Sequence, residues 1–336
     1  MEKIAVAVVG LGRIASLLED DPLREKPCTH IGAVCANDDC TLVAGTDLDE
    51  SRRALFEERW GCPSYASADV MLQTHDVRIL IIATHPDSHA DYCVLASKYN
   101  VPVVICEKPL SDSLEGAQRI AALHKSGVVK VITNHERRYS ADYIEAKNIL
   151  AEKHLGELLS ARAVLYMGIN RRLIDVFWHD GTHLIDAVMF LTGLSLRYKK
   201  KWGARLTCRD GTAFLLGDLC GEISSNKEKS VPFLFELGSR RDHLVFELEF
   251  SCERGRLRIG NGVFEVWNSD SCPYAEGFRS LKKEREGFIG KTGYFANMIA
   301  DAVACVRNPE HNPHSSAING LEVISFLSAP HPRSGF

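Results

Sequence analysis

The stretch Val8-Val9-Gly10-Leu11-Gly12-Arg13-Ile14-Ala15 decides how the N-terminal part of this chain folds. It follows a β-branched run over residues 4–9, which predicts a strand, and it precedes residues that predict a helix start. Gly10 permits a tight turn, Gly12 lets a phosphate approach the backbone, and the small Ala15 allows close strand–helix packing. The G-x-G-x-x-A spacing therefore predicts a dinucleotide-binding turn, against the alternative of a glycine turn without a ligand.

Outward from this stretch, short apolar runs alternate with segments of helical spacing, which is typical of a parallel sheet with crossover helices. Nearly continuous apolarity in these runs indicates strands covered on both faces. We predict strands over residues 4–9, 41–46, 77–83, 101–106 and 128–133, and helices over residues 51–60, 89–99 and 113–126. The first third of the chain is therefore predicted to be a doubly wound Rossmann domain.

The pattern changes after about residue 134, where strands predominate and a few helices accompany them. We predict strands over residues 157–165, 212–219, 231–237, 243–250, 256–259 and 262–267, and helices over residues 141–153, 181–191, 294–306 and 316–327. This pattern favours a mixed antiparallel sheet with helices on one face. The predicted organisation is α/β, with a Rossmann domain at 1–130, a second α/β domain at 131–330 and a loose tail at 331–336.

Composition excludes several classes of protein. The 336 residues are 45% apolar and 25% charged with a formal charge of -4, so neither a membrane span nor a basic nucleic-acid surface is expected. The eleven cysteines contain no C-x-x-C pair and no dense disulfide framework. We therefore expect the cysteines to be reduced thiols. Because no apolar signal segment precedes the first strand, we also expect a cytoplasmic location.

Asp47 ends the second predicted strand, where a carboxylate accepts hydrogen bonds from the adenosine ribose and repels a 2'-phosphate. This favours NAD, although Arg52 and Arg53 leave NADP open, and Asp47 could also simply end the strand. Asp47 lies farther from Gly12 than the usual spacing of about 20 residues. We therefore expect residues 20–39 to loop out as an insertion.

Two further segments carry candidate chemistry. Cys106-Glu107-Lys108-Pro109 follows the fourth strand, at the sheet edge where open α/β sheets bind ligands, and the Lys108 ammonium could polarise a reacting oxygen; a plain solvated loop is the alternative. In Trp178-His179-Asp180-Gly181-Thr182-His183-Leu184-Ile185-Asp186, His183 could remove a hydroxyl proton, with Asp180 or Asp186 orienting the ring. The H-x-x-x-H spacing lacks a third metal ligand, so we expect no metal and allow that His183 is structural.

Taken together these segments resemble the glucose-fructose oxidoreductase, inositol dehydrogenase and rhizopine catabolism protein family, written Gfo/Idh/MocA. The resemblance spans most of the chain. It rests on Gly10-Leu11-Gly12, Ala83-Thr84-His85-Pro86-Asp87-Ser88-His89, Glu107-Lys108-Pro109, Asn134-His135-Glu136-Arg137-Arg138-Tyr139 and Gly181-Thr182-His183-Leu184-Ile185-Asp186.

The resemblance implies an open, predominantly antiparallel sheet in the second domain, which often forms an oligomer interface, here of a homodimer or homotetramer. It also implies that Lys108 and His183 face the nicotinamide, and we include His179 and Asp180 as catalytic candidates. The expected cofactor-binding residues are Gly10, Leu11, Gly12, Arg13, Ile14, Asp47, Ala83, Thr84, His85, His89, Glu107 and Lys108. The candidate substrate residues are Glu136, Arg137, Tyr166, Asn170 and Arg171, together with His179.

The chain departs from the family pattern at two positions. The family usually has an aspartate four residues before the catalytic histidine, whereas this chain has His179 there and its acid at Asp180. One residue rotates a helical side chain by about 100 degrees. Either Asp180 lies in a non-helical turn and still reaches substrate, or His179 has taken the position. His85 stands where the family often has proline.

We therefore expect an NAD-dependent, or alternatively NADP-dependent, oxidoreductase that transfers a hydride between nicotinamide and a sugar, cyclitol or related polyol. Two rivals stay open. One is NAD-dependent glycoside hydrolysis through transient oxidation of the sugar, as in some relatives. The other is a non-catalytic dinucleotide-binding sensor or regulatory subunit, which the altered residue 179 makes conceivable.

Overall fold

The computed structural model describes residues 2–169, 171–197, 207–209, 211–223, 227–287 and 291–329. The strands are β1 (Ile4–Val9), β2 (Cys40–Thr46), β3 (Ser64–Tyr65), β4 (Ile79–Ile82), β5 (Val103–Cys106), β6 (Lys130–Thr133), β7 (Leu158–Met167), β8 (Ser195–Arg197), β9 (Thr207–Arg209), β10 (Thr212–Ile223), β11 (Lys227–Gly238), β12 (Leu244–Cys252), β13 (Gly255–Gly260), β14 (Val263–Ser271) and β15 (Arg279–Glu286). The helices are α1 (His30–Cys35), α2 (Glu50–Trp60), α3 (Ala68–Thr74), α4 (His89–Lys98), α5 (Leu114–Lys125), α6 (Ala141–Ala151), α7 (Leu173–Asp175), α8 (Gly181–Thr192), α9 (Tyr294–Arg307) and α10 (Ala317–Ser328).

The first compact unit, residues 1–140 and 291–325, contains a parallel sheet in the order β3-β2-β1-β4-β5-β6. Every residue of β4 and β5 is buried, as expected for strands covered on both faces. The strand order reverses between β1 and β4, and such a switch point opens a crevice at the carboxyl ends of the strands. The predicted Rossmann sheet is therefore confirmed.

The helix after the glycine turn differs from the expectation. A single helical turn follows Gly12. Residues 17–29 then form an excursion away from this turn, and the chain returns to it at the start of α1. The returning chain continues the first turn, because His30 N–H donates to the Ile14 carbonyl at 3.2 Å and Ile31 N–H donates to the Ala15 carbonyl at 3.0 Å. The insertion thus begins three residues before the predicted range of 20–39 and ends at residue 29, ten residues before the end of that range.

The Glu19 carboxylate, near the start of this excursion, forms hydrogen bonds with residues at its end. It accepts from the Cys28 N–H at 3.2 Å and from the Thr29 hydroxyl at 2.6 Å, beside the N-terminus of α1. Thr29 in turn caps α1 by accepting from Gly32 N–H at 3.0 Å. Local capping therefore allows the helix to restart after the excursion.

Helix α9 also belongs to the first unit, although the predicted boundary at residue 130 assigns it to the second domain. Phe295, Met298 and Ile299 of α9 are buried in the same core as β1 and β5. Residues 131–140 pack in this unit as well. The two compact units therefore differ from the two predicted domains, which were divided at a single point along the chain. The reason is that the apolar face of α9 is buried against strands far away in sequence.

The second unit, residues 141–290 and 326–336, is built on a sheet in the order β15-β14-β13-β12-β7-β11-β10-β8, with β9 paired to β10. Its described pairings are antiparallel except for β7 with β11. The predicted, predominantly antiparallel sheet is confirmed. The turn at Asn261-Gly262 joins β13 to β14, with Gly262 at φ 80°.

Strand β15 was missed from the sequence because its residues, RSLKKERE, are mostly charged. An edge strand with two solvent-facing sides does not need alternating hydrophobicity, and charges there discourage edge-to-edge pairing. Among the described residues, no helix is long and apolar enough to cross a membrane. The predicted tail at 331–336 lies outside the described residues.

Candidate active site

The glycine turn stands at the carboxyl end of β1, directly at the switch point. Gly10 has φ 88°, and a Cβ atom there would lie 2.7 Å from the Ala83 carbonyl oxygen. Its N–H donates to the Thr46 carbonyl at 2.8 Å. A side chain is therefore excluded at position 10 both by the backbone conformation and by the neighbouring strand end.

Gly12 leaves its side of the turn open. A Cβ atom at Gly12 would meet only one atom within 4 Å, Arg52 Nη1 at 3.9 Å. A side chain would fill this space, and its absence lets a diphosphate approach the backbone. Arg13 is exposed and Ile14 half-buried beside the turn, whereas the Leu11 side chain lies in the core and contributes only backbone here. This cradle fits a dinucleotide.

The Asp47 carboxylate is fixed at the end of β2. Its Oδ2 accepts from the Leu11 N–H at 2.8 Å, and its Oδ1 accepts from the Asp49 N–H at 2.9 Å. Arg52 Nη1 lies 3.6 Å from Oδ2. Asp47 thus joins the glycine turn to β2, and Arg52 brings a positive charge to the same place.

The loop after β4 forms a second wall of the crevice. Its Thr84 and Ser88 hydroxyls are hydrogen-bonded at 2.7 Å, while His85 is exposed. His89 is fully buried, with its ring nitrogens 3.2 Å from the carbonyl oxygens of Thr84 and Leu110. Burial lowers the pKa of His89, although these carbonyls oppose the shift. Because a neutral imidazole has one N–H, His89 donates a hydrogen bond to only one of these two carbonyls.

Glu107 follows β5 and holds the backbone on which Lys108 stands. Glu107 Oε1 accepts from His30 Nε2 at 2.7 Å and from Asn134 Nδ2 at 2.5 Å. Its Oε2 accepts from the Lys108 N–H at 3.1 Å. The peptide bond between Lys108 and Pro109 is cis. Glu107 is therefore a positioning residue for the loop that carries Lys108.

Burial alone would raise the pKa of Glu107. The hydrogen bond and charge of His30, the Lys108 charge and the Asn134 hydrogen bond outweigh burial and hold this pKa below its ordinary value. The carboxylate is therefore ionised at neutral pH and accepts from all three donors.

His30 and Asn134 were not predicted as site residues. Asn134 directly follows β6, so its position at the carboxyl edge of the sheet was a usable signal. His30 gave none, because it is 77 positions from Glu107 and lies in the expected insertion. Its ring also packs edge-on against Phe295 with centroids 5.1 Å apart.

Among the candidate substrate residues of the first unit, Glu136 and Arg137 form a short 3-10 turn after β6. Arg137 Nη1 lies 3.1 Å from Glu136 Oε1, and Arg137 is buried while Glu136 is half-buried. Both lie near the carboxyl edge of the first sheet.

In the second unit, residues 176–180 form a π-helical turn that leads into α8. Asp180 has helical backbone angles, φ -96° and ψ -32°, so it does not lie in a non-helical turn. Its Oδ2 accepts from Arg171 Nη2 at 2.5 Å. His179 is exposed and His183 half-buried. His183 lies in α8, whereas positions 179 and 180 lie in the π-helical turn, so the three- and four-residue spacing of an α-helix does not by itself place them beside His183.

Tyr166 lies on the sheet of the second unit, on the face opposite the buried Ala163 and Leu165. Its hydroxyl donates to Glu236 Oε1, and the Arg241 guanidinium stacks over its ring at 4.4 Å. Asn170 lies outside the described residues. The candidate residues of this unit thus fall into an α8 group and a sheet-face group.

Comparisons with known proteins agree with this geometry. Residues 4–135 match the family model described as an oxidoreductase family with an NAD-binding Rossmann fold. An inositol 2-dehydrogenase of Arthrobacter sp. is 32% identical over 199 residues, covering 57% of this chain and 55% of the relative. The chain spans about half the length of the curated relatives it matches.

Two solved structures share the fold. A putative NADPH-dependent oxidoreductase from Desulfitobacterium hafniense has a TM-score of 0.75 at 19% identity, covering 98% of this chain and 94% of that one. A putative myo-inositol dehydrogenase from Sinorhizobium meliloti has a TM-score of 0.71 at 16% identity, covering 97% and 96%. Residues 4–135 therefore resemble the Gfo/Idh/MocA oxidoreductases, whose family model with an NAD-binding Rossmann fold matches this part of the chain.

Proposed function

We propose that this protein is an NAD(H)-dependent oxidoreductase that acts on a CH–OH group of a sugar, cyclitol or related polyol. The observation that carries the proposal lies within the first unit. An open glycine cradle, a fixed Asp47 and the Glu107-anchored Lys108 loop stand at the carboxyl ends of β1, β2 and β5 in one parallel sheet. The names of the curated relatives support a polyol substrate.

In this proposal the residues of the chain bind the cofactor and move a proton. Bound NAD supplies the hydride acceptor at C4 of the nicotinamide. Lys108 polarises the substrate oxygen, and His183 takes the hydroxyl proton as the carbinol carbon loses its hydride and becomes a carbonyl. His179 or Asp180 is proposed to orient His183 or to contact a neighbouring hydroxyl, and the substrate contacts come from Glu136, Arg137, Tyr166, Asn170 and Arg171.

The cofactor preference is proposed to be NAD over NADP. The Asp47 carboxylate favours ribose hydroxyls and repels a 2'-phosphate. Arg52, at 3.6 Å from Asp47, weakens that repulsion and is the reason NADP binding should be measured as well. Fluorescence titrations with NADH and NADPH give the two dissociation constants directly.

The oligomer is proposed to be a homodimer or homotetramer formed through the second sheet, which size-exclusion chromatography with light scattering tests. A cytoplasmic location is also proposed. The ten cysteines other than Cys208 are free thiols in the structure, as a reducing compartment would keep them.

The test is a screen of sugars and cyclitols with NAD, followed by the Lys108→Met variant on the best substrate. Removing the ammonium should lower kcat by about 100- to 10,000-fold while leaving NADH binding nearly intact. Lys125→Met, at an exposed lysine of α5, is the matched control and should leave kcat unchanged. An unchanged kcat in Lys108→Met would remove Lys108 from the mechanism, and NADH binding without turnover of any polyol would favour a regulatory role.

A further inference from the structure

A second cluster of titratable side chains lies in the first unit, outside the crevice. Asp301 stands on α9, and His311 and His314 stand in the loop between α9 and α10. The side chain of Asp301 is 2% exposed, that of His311 is 28% exposed and that of His314 is 67% exposed. The cluster therefore has a buried anchor and an open, solvent-facing side.

The three side chains converge on one point. His311 Nε2 lies 2.7 Å and His314 Nε2 lies 3.8 Å from the same oxygen, Asp301 Oδ1. One ligand atom from each residue lies within 4.8 Å of the other two. Two imidazoles and one carboxylate are donors that first-row divalent metal ions prefer.

Asp301 is oriented by its other oxygen. Oδ2 accepts from the Tyr139 hydroxyl at 2.8 Å and from the backbone N–H of His314 at 3.0 Å. Oδ1 is thereby directed toward the imidazoles, as outer hydrogen bonds direct a metal-binding carboxylate.

The loop that carries the histidines is itself held in place. Lys130 Nζ donates to the carbonyl oxygens of His311 at 2.7 Å and Asn308 at 3.2 Å. Farther along, the Ser315 hydroxyl donates to the Thr133 carbonyl at 2.7 Å. The loop is thus fastened to the edge strand β6 on both sides of the cluster.

We propose that Asp301 Oδ1, His311 Nε2 and His314 Nε2 bind a divalent transition metal ion, with water in the remaining positions. Metal–ligand distances of about 2.0–2.2 Å require ligand atoms roughly 3.3 Å apart, so His311 moves slightly outward. The proton between His311 Nε2 and Asp301 leaves when the metal takes its place. The ion would pin the α9–α10 loop to the first unit. This site was not expected from the sequence, which gave no metal ligands.

The first test is a titration of untagged, metal-free protein with Zn²⁺ against a chromophoric chelator. Wild-type protein should bind one equivalent at this site, and His311→Ala or His314→Ala should weaken that binding by more than about 100-fold. Tyr139→Phe, which removes only the outer hydrogen bond, should weaken it by about 10- to 100-fold. His154→Ala is the matched control, because His154 is exposed and lies 2.7 Å from the Glu152 carboxylate but has no third ligand among the described residues.

A second readout is thermal unfolding. Saturating Zn²⁺ should raise Tm by about 5 °C in wild type and leave it unchanged in His314→Ala. Because His314 is largely exposed, that variant should keep the wild-type Tm without metal. The proposal is overturned if His314→Ala binds Zn²⁺ as tightly as wild type, or if the anomalous signal of a zinc-soaked crystal lies elsewhere.

Discussion

Replacing Glu107 tests whether this buried carboxylate holds the Lys108 loop. In Glu107→Leu, His30 Nε2 and Asn134 Nδ2 lose the oxygen that they share at 2.7 and 2.5 Å. Each buried donor without a partner costs about 1–3 kcal/mol. We therefore expect the free energy of unfolding of the first unit to fall by about 4 kcal/mol.

Glu107→Gln should be milder, because its neighbours can change partners. Among the described residues, His30 Nδ1 and Asn134 Oδ1 have no hydrogen-bond partner, so the imidazole can carry its proton on Nδ1 and the amide can flip. The glutamine NH₂ can then donate to His30 Nε2 and Asn134 Oδ1. The remaining cost is the difference between charge-assisted and neutral hydrogen bonds, about 1–2 kcal/mol.

The same variants predict a pH dependence. The folded pKa of Glu107 is lowered, so its contribution to stability is complete above the ordinary carboxyl pKa of about 4.3 and is lost as pH falls toward the folded value. Glu107→Gln carries no titrating group and should lose less stability than wild type on acidification from neutral pH to below about pH 4.

Urea unfolding followed by circular dichroism, at neutral pH and in acid, measures these differences. Glu58→Gln, at an exposed position of α2, is the matched control and should change little. If the free energy of unfolding falls equally in Glu107→Gln and Glu107→Leu, His30 and Asn134 do not form new hydrogen bonds with the glutamine. A loss below about 1 kcal/mol in Glu107→Leu would refute the role of the network itself.

Three further substitutions test the crevice and its supporting helix. Gly10→Ala places a Cβ atom 2.7 Å from the Ala83 carbonyl at φ 88°, so urea unfolding should report a loss of at least about 2 kcal/mol, and full stability would contradict the strain. Asp47→Ala should weaken NADH binding about tenfold and NADPH binding less, as measured by fluorescence titration; equal losses would exclude ribose recognition. Gly32→Ala places a Cβ atom 2.3 Å from a Glu19 oxygen that is held by two hydrogen bonds, so thermal unfolding should report a loss of about 1–3 kcal/mol, and an unchanged Tm would contradict this packing.

The strand pattern of the first unit could be predicted because each buried parallel strand is apolar along its whole length. Residues 79–82 and 103–106 are examples, and their predicted strands extend only two residues or so beyond the observed ones. Charged β15 could not be found this way, because an edge strand has no buried face that requires a pattern.

The site was predicted only where its residues stand next to a strand end. Gly10, Asp47 and Lys108 each follow a recognisable strand, and their side-chain roles remain predictions. His30 was missed because its contact with Glu107 depends on the return of the chain after the excursion at residues 17–29. No local pattern encodes such a return.

By itself, the sequence determined the glycine turn and the alternation of strands and helices, because backbone conformation and burial depend on spacing along a few residues. Only the tertiary structure decided how Glu107 is satisfied, where α9 packs and which side chains surround Asp301. The physical reason is that a buried polar group needs a partner, whereas its position along the chain leaves open which distant residue provides one.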